Sequence, residues 1–311
     1  MTAAKRYAIG IDLGGTTIKY ALISSEGEFL FEGMADTPAT EGAEAVLEAL
    51  CGAADECLKF AKGADIEVKG VGIGTPGVIS PDGQTVLGGA ENIEGWENVN
   101  VGARLTAHTS LPTLLGNDAN LMALGETLYG AARGAEDVVF LTVGTGIGGG
   151  VLIGGKLQGG WHGKGMELGH IVLIANGERC ACGAVGCLEH YASTSALVRR
   201  YAERKGIDAE QTNGRDIVGR YHADEQEAID TLEEHWEWLG QGIRSFINIF
   251  APQKVVVGGG ISEAGEFYFE GVRRHTAAHV MEVCGGHTEI VAATLGNRAG
   301  SLGAAGLILG E

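Results

Sequence analysis

The sequence predicts an α/β protein made of two similar lobes. Its 311 residues exceed the roughly 100–200 of a usual domain. The same local pattern also occurs twice. Tyr7 to Leu30 reads as strand, glycine turn, strand, turn and strand, and Glu136 to Gln158 repeats strand, glycine turn, strand and turn. Asp12-Leu13-Gly14-Gly15-Thr16 is echoed by Val143-Gly144-Thr145-Gly146. A diverged repeat of this kind implies two α/β lobes, each offering one glycine hairpin to a shared cleft. Apolar residues make up 45% of the chain, enough for two cores.

The elements follow in order. Ile18, Tyr20 and Leu22 alternate as in a half-buried strand. Gly42 to Lys62 spaces its Ala, Val and Leu as a helix does. "VKGVGIGTPGVIS" is a buried strand running into a Gly/Pro loop, and Gly102 to His108 reads as a helix. "PTLLGNDANLMALGETLYG" is a strand ending at Gly116 and a helix from about Ala119. Ser195 to Phe250 is mostly helical, Lys254 to Ser262 is a buried strand ending in three glycines, and Arg298 to Leu309 is a helix of small residues. No linker-like stretch marks the boundary, which is expected near Leu114 to Asn120. The lobes are then 1–117 with about 298–311, and 118–297.

Composition narrows the function. A net charge of −18 without a basic block argues against a nucleic-acid partner, whose phosphates need cationic neutralisation. No apolar run approaches the roughly 20 residues of a membrane span, and no signal peptide is seen, so a cytoplasmic protein is expected. A phosphorylated ligand would have to be held by backbone amides, a metal ion and a few local cations. The 53 glycines, about one residue in six against a usual share of about 7%, fit tight turns or close backbone approach to a ligand.

Three groups of residues carry chemistry. In the first, the Gly14-Gly15 turn can present consecutive N–H groups to an anion, with hydroxyl donors on Thr16 and Thr17. Asp12 at the strand end can orient hydrated Mg²⁺; the alternative is an ordinary hairpin with a surface Asp. Gly144 to Gly150 has neither the Lys of a Walker loop nor the helix of a dinucleotide fingerprint, and stands between a plain hairpin and a phosphate site. In the second group, Asn117 and Asp118 fall between a strand and a helix, where α/β sheets bind ligands. Asp118 is either a helix N-cap or the carboxylate that takes a proton from a substrate hydroxyl.

The third group is "MELGH" followed by "CACGAVGCLE". In a reducing compartment a tight cysteine cluster points to metal or catalysis rather than a disulfide. His170, Cys180, Cys182 and Cys187 form an H-x9-C-x-C-x4-C set. Four such ligands suit a closed, structural, tetrahedral zinc site, and no C-x-x-C redox motif is present. Zinc takes one imidazole nitrogen; the other needs a partner, which can be a substrate hydroxyl. The clip would then hold His170 and Glu189 beside Glu167. Cys51, Cys57 and Cys284 are scattered and read as inert thiols.

Together these motifs resemble the ROK family of bacterial sugar kinases and repressors. "IDLGGTTIK", "GIGTPG", "NIEGWENV", "GNDAN", "LTVGTGIGGG", "MELGH", "CACGAVGCLE" and "VVVGGGIS" occur in that family's order between Gly10 and Leu309. The resemblance implies a two-lobed, actin-like (ribonuclease H-like) sugar kinase fold with a structural zinc site within 170–187. It implies ATP-dependent phosphorylation of a hexose with Asp118 as base, and sugar binding by Asn92, Asn117, Asp118, Glu167, His170 and Glu189. ATP·Mg²⁺ would contact Asp12, Gly14, Gly15, Thr16, Thr17, Lys19, Gly144, Thr145 and Gly146, with Gly258, Gly259 and Gly260 against the adenosine. Lys19 also reads as a solvated strand-end lysine. A homodimer is implied as well. Asp12 lies twelve residues in, so no helix-turn-helix is expected ahead of it and a kinase is expected rather than a repressor. "ENIEGWENV" resembles the glucose-phosphorylating members. Val78, where kinases of N-acetylmannosamine tend to carry Arg, agrees with an unsubstituted hexose. Fructose, mannose, allose and the N-acetylhexosamines remain alternatives, as do polyphosphate as donor and a non-catalytic sugar sensor.

Overall fold

A computed structural model describes residues 5–90 and 92–310. By its contacts the chain divides into two compact units. The first comprises Met1–Gly134, Leu157–Gly165 and Asn297–Glu311, and the second Ala135–Lys156 and Met166–Gly296.

The first unit is built on a sheet of five strands: β1 (Tyr7–Leu13), β2 (Thr17–Ser24), β3 (Phe29–Asp36), β4 (Val68–Thr75) and β7 (Thr113–Asn117). Their order is β3-β2-β1-β4-β7. The first three form an antiparallel meander, while β1, β4 and β7 run parallel. Two short strands, β5 (Val78–Ile79) and β6 (Val86–Gly88), pair separately. The core holds Ile9, Ile11, Ile73 and Leu115 of the sheet with Val46, Leu50 and Cys57 of α1 (Ala43–Gly63) and Leu105 of α2 (Val101–Thr109).

α3 (Asp118–Tyr129) and α10 (Ala299–Leu309) complete this unit. α10 packs by backbone approach: a Cβ at Gly10 would overlap the Ser301 carbonyl oxygen, and one at Gly72 that of Ala304. Gly303 leaves no space from the carbonyl of Leu121, nor Gly125 from that of Ala299. Glycine lowers intrinsic helix stability, but here it admits close backbone contact. This packing puts α3 with the first unit, whereas the sequence expectation divides the chain just before it, at 117/118.

The second unit repeats the sheet. β8 (Val138–Val143), β9 (Ile147–Ile153), β10 (Lys156–Leu157), β11 (Lys254–Gly258) and β12 (Glu289–Ala292) lie in the order β10-β9-β8-β11-β12. Numbered within its own unit, each sheet reads 3-2-1-4-5, as the internal repeat and the actin-like expectation require. The turns match too: Gly14–Thr16 and Gly144–Gly146 each join two antiparallel strands by three residues. The short helix α4 (Leu188–Ala192) is followed by α5 (Thr194–Lys205), α6 (Gly214–Tyr221), α7 (Gln226–Phe250), α8 (Glu266–Ala277) and α9 (Glu282–Gly285). α7 buries Leu232, Trp236, Leu239, Ile243 and Phe246, a three-and-four spacing that faces one side. These residues join Val139 and Leu141 of the sheet in one core.

Candidate active site

In the first unit, strand direction gathers the candidate residues at one edge. Asp12 pairs with Gly74 across β1 and β4, and Thr75 with Asn117 across β4 and β7. The carboxyl ends of all three parallel strands therefore open on the same side, where α/β sheets bind ligands. Asp12 is buried, which differs from the surface alternative. Burial raises its pKa to about 6, Lys19 opposes the rise, and Asp118 adds to it. Gly300 makes room for this carboxylate: a Cβ there would lie 2.5 Å from the Asp12 Cγ.

Asn117, not Asp118, is the N-cap of α3. Its Oδ1 accepts from Asn120 N at 3.2 Å, and its Nδ2 donates to the Gly77 carbonyl at 3.2 Å. Asp118 is the first helical residue, and its Oδ1 accepts from Ala119 N at 2.8 Å. A helix N-terminus favours the ionised carboxylate. Asn92 is exposed on the loop over the first glycine turn, with its Nδ2 3.1 Å from where a Gly15 Cβ would be. That loop is anchored by buried Ile93 and Trp96, whose Nε1 donates to Thr75 Oγ1 at 2.9 Å. Lys19 is half-buried and donates to Asn297 Oδ1 at 3.1 Å in a solvent-exposed hydrogen bond, so it is a partnered lysine here.

Neither Gly14 and Gly15 nor Gly144 and Gly146 adopts a positive φ. Gly14, Gly15 and Gly146 answer to space, not to left-handed backbone, while a Cβ at Gly144 would meet nothing within 4 Å. Gly14 N donates to Thr17 O at 3.0 Å, and Thr37 Oγ1 donates to Gly14 O at 2.8 Å. Thr16 O accepts from Thr37 N.

In the second unit, Gly144 and Gly258 likewise share an edge, since Gly258 pairs with Thr142 next to the β8 turn. The three glycines at the end of β11 have different tasks. Gly259 has φ +84° and lies against the Val143 backbone with no space for a Cβ. Gly258 packs on Phe140 and Ala293. Gly260 faces open space and helps line a cavity of about 470 Å³ with Thr194, Asn213, Arg215, Asp216 and Glu263. Nothing in the sequence pointed to those cavity residues, because they come together only in the tertiary fold. Thr145 is exposed at the tip of its hairpin.

The metal clip forms as the spacing implies. The ligand atoms of His170, Cys180, Cys182 and Cys187 all lie within 4.8 Å of one another. His170 Nδ1 is 3.8 Å from Cys180 Sγ, and Cys182 Sγ is 3.7 Å from Cys187 Sγ. Ligands about 2.3 Å from zinc at tetrahedral angles stand about 3.8 Å apart, so the four residues fit the ion. Burial pushes the Cys180 thiol up and that of Cys187 up to about 12; a dication reverses this by favouring thiolates. Because Nδ1 faces the cysteines, Nε2 of His170 is the nitrogen left for another partner. The loop is braced by Leu173 N to Gly186 O at 2.7 Å and Glu178 N to Tyr191 Oη at 2.7 Å. Glu178 also pairs with His190 at 2.9 Å.

Glu167 is exposed and occupies the N-cap position of the single-turn segment Leu168–His170, with no capping bond from its side chain. It follows Met166, a non-glycine residue at φ +69°, a strained conformation of the sort that collects at functional sites. Glu189 in the first turn of α4 turns toward the second glycine hairpin. Its Oε2 accepts from Ile147 N at 2.9 Å, and its Oε1 is 3.8 Å from Cys180 Sγ.

A family model described as "ROK family" matches residues 8–311. The chain belongs to the ROK family. Among ROK relatives, the glucokinase of Thermotoga maritima is 36% identical, with 96% of each chain covered. The crystal structure of a ROK family glucokinase from Streptomyces griseus, in complex with glucose and AMPPNP, superposes with a TM-score of 0.80 at 33% identity. That alignment covers 97% of this chain and 98% of the other. A xylose repressor from Caldicellulosiruptor bescii is 34% identical over 85% of this chain and 68% of its own length. The ROK fold and a relationship to sugar kinases, glucokinases among them, are therefore established. Among the described residues no helix is long and apolar enough to cross a membrane.

Proposed function

We propose that this protein phosphorylates glucose at its 6-hydroxyl, with ATP·Mg²⁺ as donor. The observation that carries the reading is the placement of Asp12, Asn117 and Asp118 at one carboxyl edge of a ROK fold. Its relative from Streptomyces griseus binds glucose and an ATP analogue, which supports the choice of both ligands.

In this reading Asp118 is the general base. It accepts the proton of the 6-hydroxyl while that oxygen bonds to the γ-phosphorus and the bond to ADP breaks. Phosphoryl transfer needs chiefly positioning and charge stabilisation beyond such a carboxylate. Ala119 N fixes one Asp118 oxygen, so the side chain need not reorganise. Asn117 and Asn92 bind sugar hydroxyls in the first unit. Asn117 has one N–H and one lone pair left after its two internal bonds. In the second unit Glu167, His170 and Glu189 bind hydroxyls, with the zinc clip holding His170 and Glu189 in register.

Asp12 takes the hydrated Mg²⁺, which supplies charge neutralisation at the phosphates. The two glycine hairpins hold the phosphates, and the cavity at Gly260 takes the adenosine. Zinc is structural, because four protein ligands leave it no open position.

The test is ADP release measured with glucose, mannose, fructose, allose, N-acetylglucosamine and N-acetylmannosamine, with a parallel set using polyphosphate as donor. The reading expects kcat/KM to be highest for glucose with ATP. A higher value for another sugar or for polyphosphate overturns the substrate assignment. No turnover on any of them favours the sensor reading, for which the repressor relative is the precedent.

A further inference from the structure

We infer that Glu189 positions the second glycine hairpin and so ties the sugar site to the donor site. The inference rests on the proposed function and extends it, since a sugar ligand alone need not touch the phosphate hairpin.

Both ends of the three-residue turn are held by the segment that carries Glu189. At one end, Oε2 of Glu189 accepts from Ile147 N at 2.9 Å. At the other, Gly144 O accepts from Thr194 N at 2.8 Å. Glu189 lies in the first turn of α4, and Thr194 lies just beyond its end. The turn is closed internally by Gly144 N to Gly146 O at 2.9 Å. Between these ties the Glu189 carboxylate fills the space a side chain at position 146 would need. That contact gives Gly146 a reason to be glycine that its φ does not.

The carboxylate has capacity for both tasks. It offers about four acceptor positions on two oxygens; the Ile147 amide uses one on Oε2 and the Cys180 sulfur lies against Oε1, which leaves two. A bond from an amide to a charged oxygen is roughly twice as strong as a neutral one, so it fixes the hairpin and the side chain together. A sugar hydroxyl that orders Glu189 thereby orders Ile147 and the turn. Coupling of this kind between two binding sites is reciprocal, so nucleotide at the hairpin also favours the sugar-binding pose of Glu189.

The test uses the zinc-loaded full chain and two probes measured apart by calorimetry: MgADP without sugar, and glucose without nucleotide. Glu189→Ala is expected to weaken MgADP about tenfold, as loss of a hydrogen bond to a charged group does, and to remove amide-exchange protection at Ile147. Glu189→Gln, which keeps an acceptor oxygen, should retain most of the MgADP affinity and confirm that the fold is intact. Gly146→Ala should weaken glucose about tenfold by displacing Glu189, and adding Glu189→Asp, one methylene shorter, should restore part of that loss.

Unchanged MgADP affinity and unchanged Ile147 protection in Glu189→Ala overturn the positioning role. If glucose binding is lost in that same variant, the sugar assignment survives. Weakened MgADP with unchanged glucose binding in Glu189→Ala has the opposite meaning: the positioning role stands and Glu189 is not a sugar ligand.

Discussion

Asp12→Asn should make the unliganded protein more stable at neutral pH while abolishing its activity. The Asp12 carboxyl is buried, and burial lifts its pKa from an ordinary 3.8 to about 6. Between those two values the unfolded chain is ionised while the folded chain keeps the proton. Stability therefore falls as pH rises through this window, and the cost is complete above pH 6. At 1.36 kcal/mol per pKa unit the ionised carboxylate costs the fold about 3 kcal/mol at pH 8. The same relation leaves about 0.5 kcal/mol at pH 4. An amide of the same shape carries no such cost. Urea unfolding without Mg²⁺ or nucleotide, at pH 8 and again near pH 4, measures the difference; Trp96, buried in the first unit's core, reports the transition. The variant should be more stable by about 2–3 kcal/mol at pH 8, and the gap should nearly close at pH 4. A variant no more stable than the wild type at pH 8, or a gap independent of pH, refutes the idea that a buried charge is kept here for metal binding.

Two further perturbations test the frame around the site. Cys182→Ser should reduce bound zinc well below one ion per chain by metal analysis. It should also weaken glucose about tenfold, equivalent to one or two hydrogen bonds of about 1 kcal/mol; a wild-type protein purified without zinc contradicts the clip. Gly303→Ala forces a Cβ against the Leu121 carbonyl and should cost about 3 kcal/mol, the upper part of the overpacking range, lowering Tm by roughly 6–12 °C. Gly52→Ala is the control: it lies inside α1 with nothing within 4 Å of the new Cβ. It should stabilise by about 0.5–1 kcal/mol.

Local periodicity made the repeated hairpin legible, because strand, glycine turn and strand are all encoded within a few residues. The clip was legible for a related reason: His170 and the three cysteines lie within eighteen positions of one another, and ligand chemistry restricts what such a set can do. Other features depend on distant chain segments. The sequence marks α10 as a helix of small residues, but not that Gly10 and Gly72 are glycine because α10 crosses them. Nothing near Asp12 shows that Gly300 makes its pocket. β12, four residues long at a sheet edge, has too few positions to display alternation. The N-cap falls to Asn117 and not to Asp118, because adjacent polar residues at a helix start both satisfy the composition rule. Only the backbone angles separate them. The direction of Glu189 toward Ile147 is likewise invisible in a motif that fixes spacing but not which oxygen meets which amide.

Asp118→Asn tests the central claim most directly. Turnover of glucose and ATP is measured beside the glucose Kd of the same preparation. The proposed role expects kcat to fall about 10²–10⁴-fold, the usual contribution of a general base, with glucose Kd changed no more than a few-fold. Near wild-type kcat contradicts Asp118 as the base. A kcat that falls only in step with lost glucose binding assigns Asp118 to holding the sugar instead.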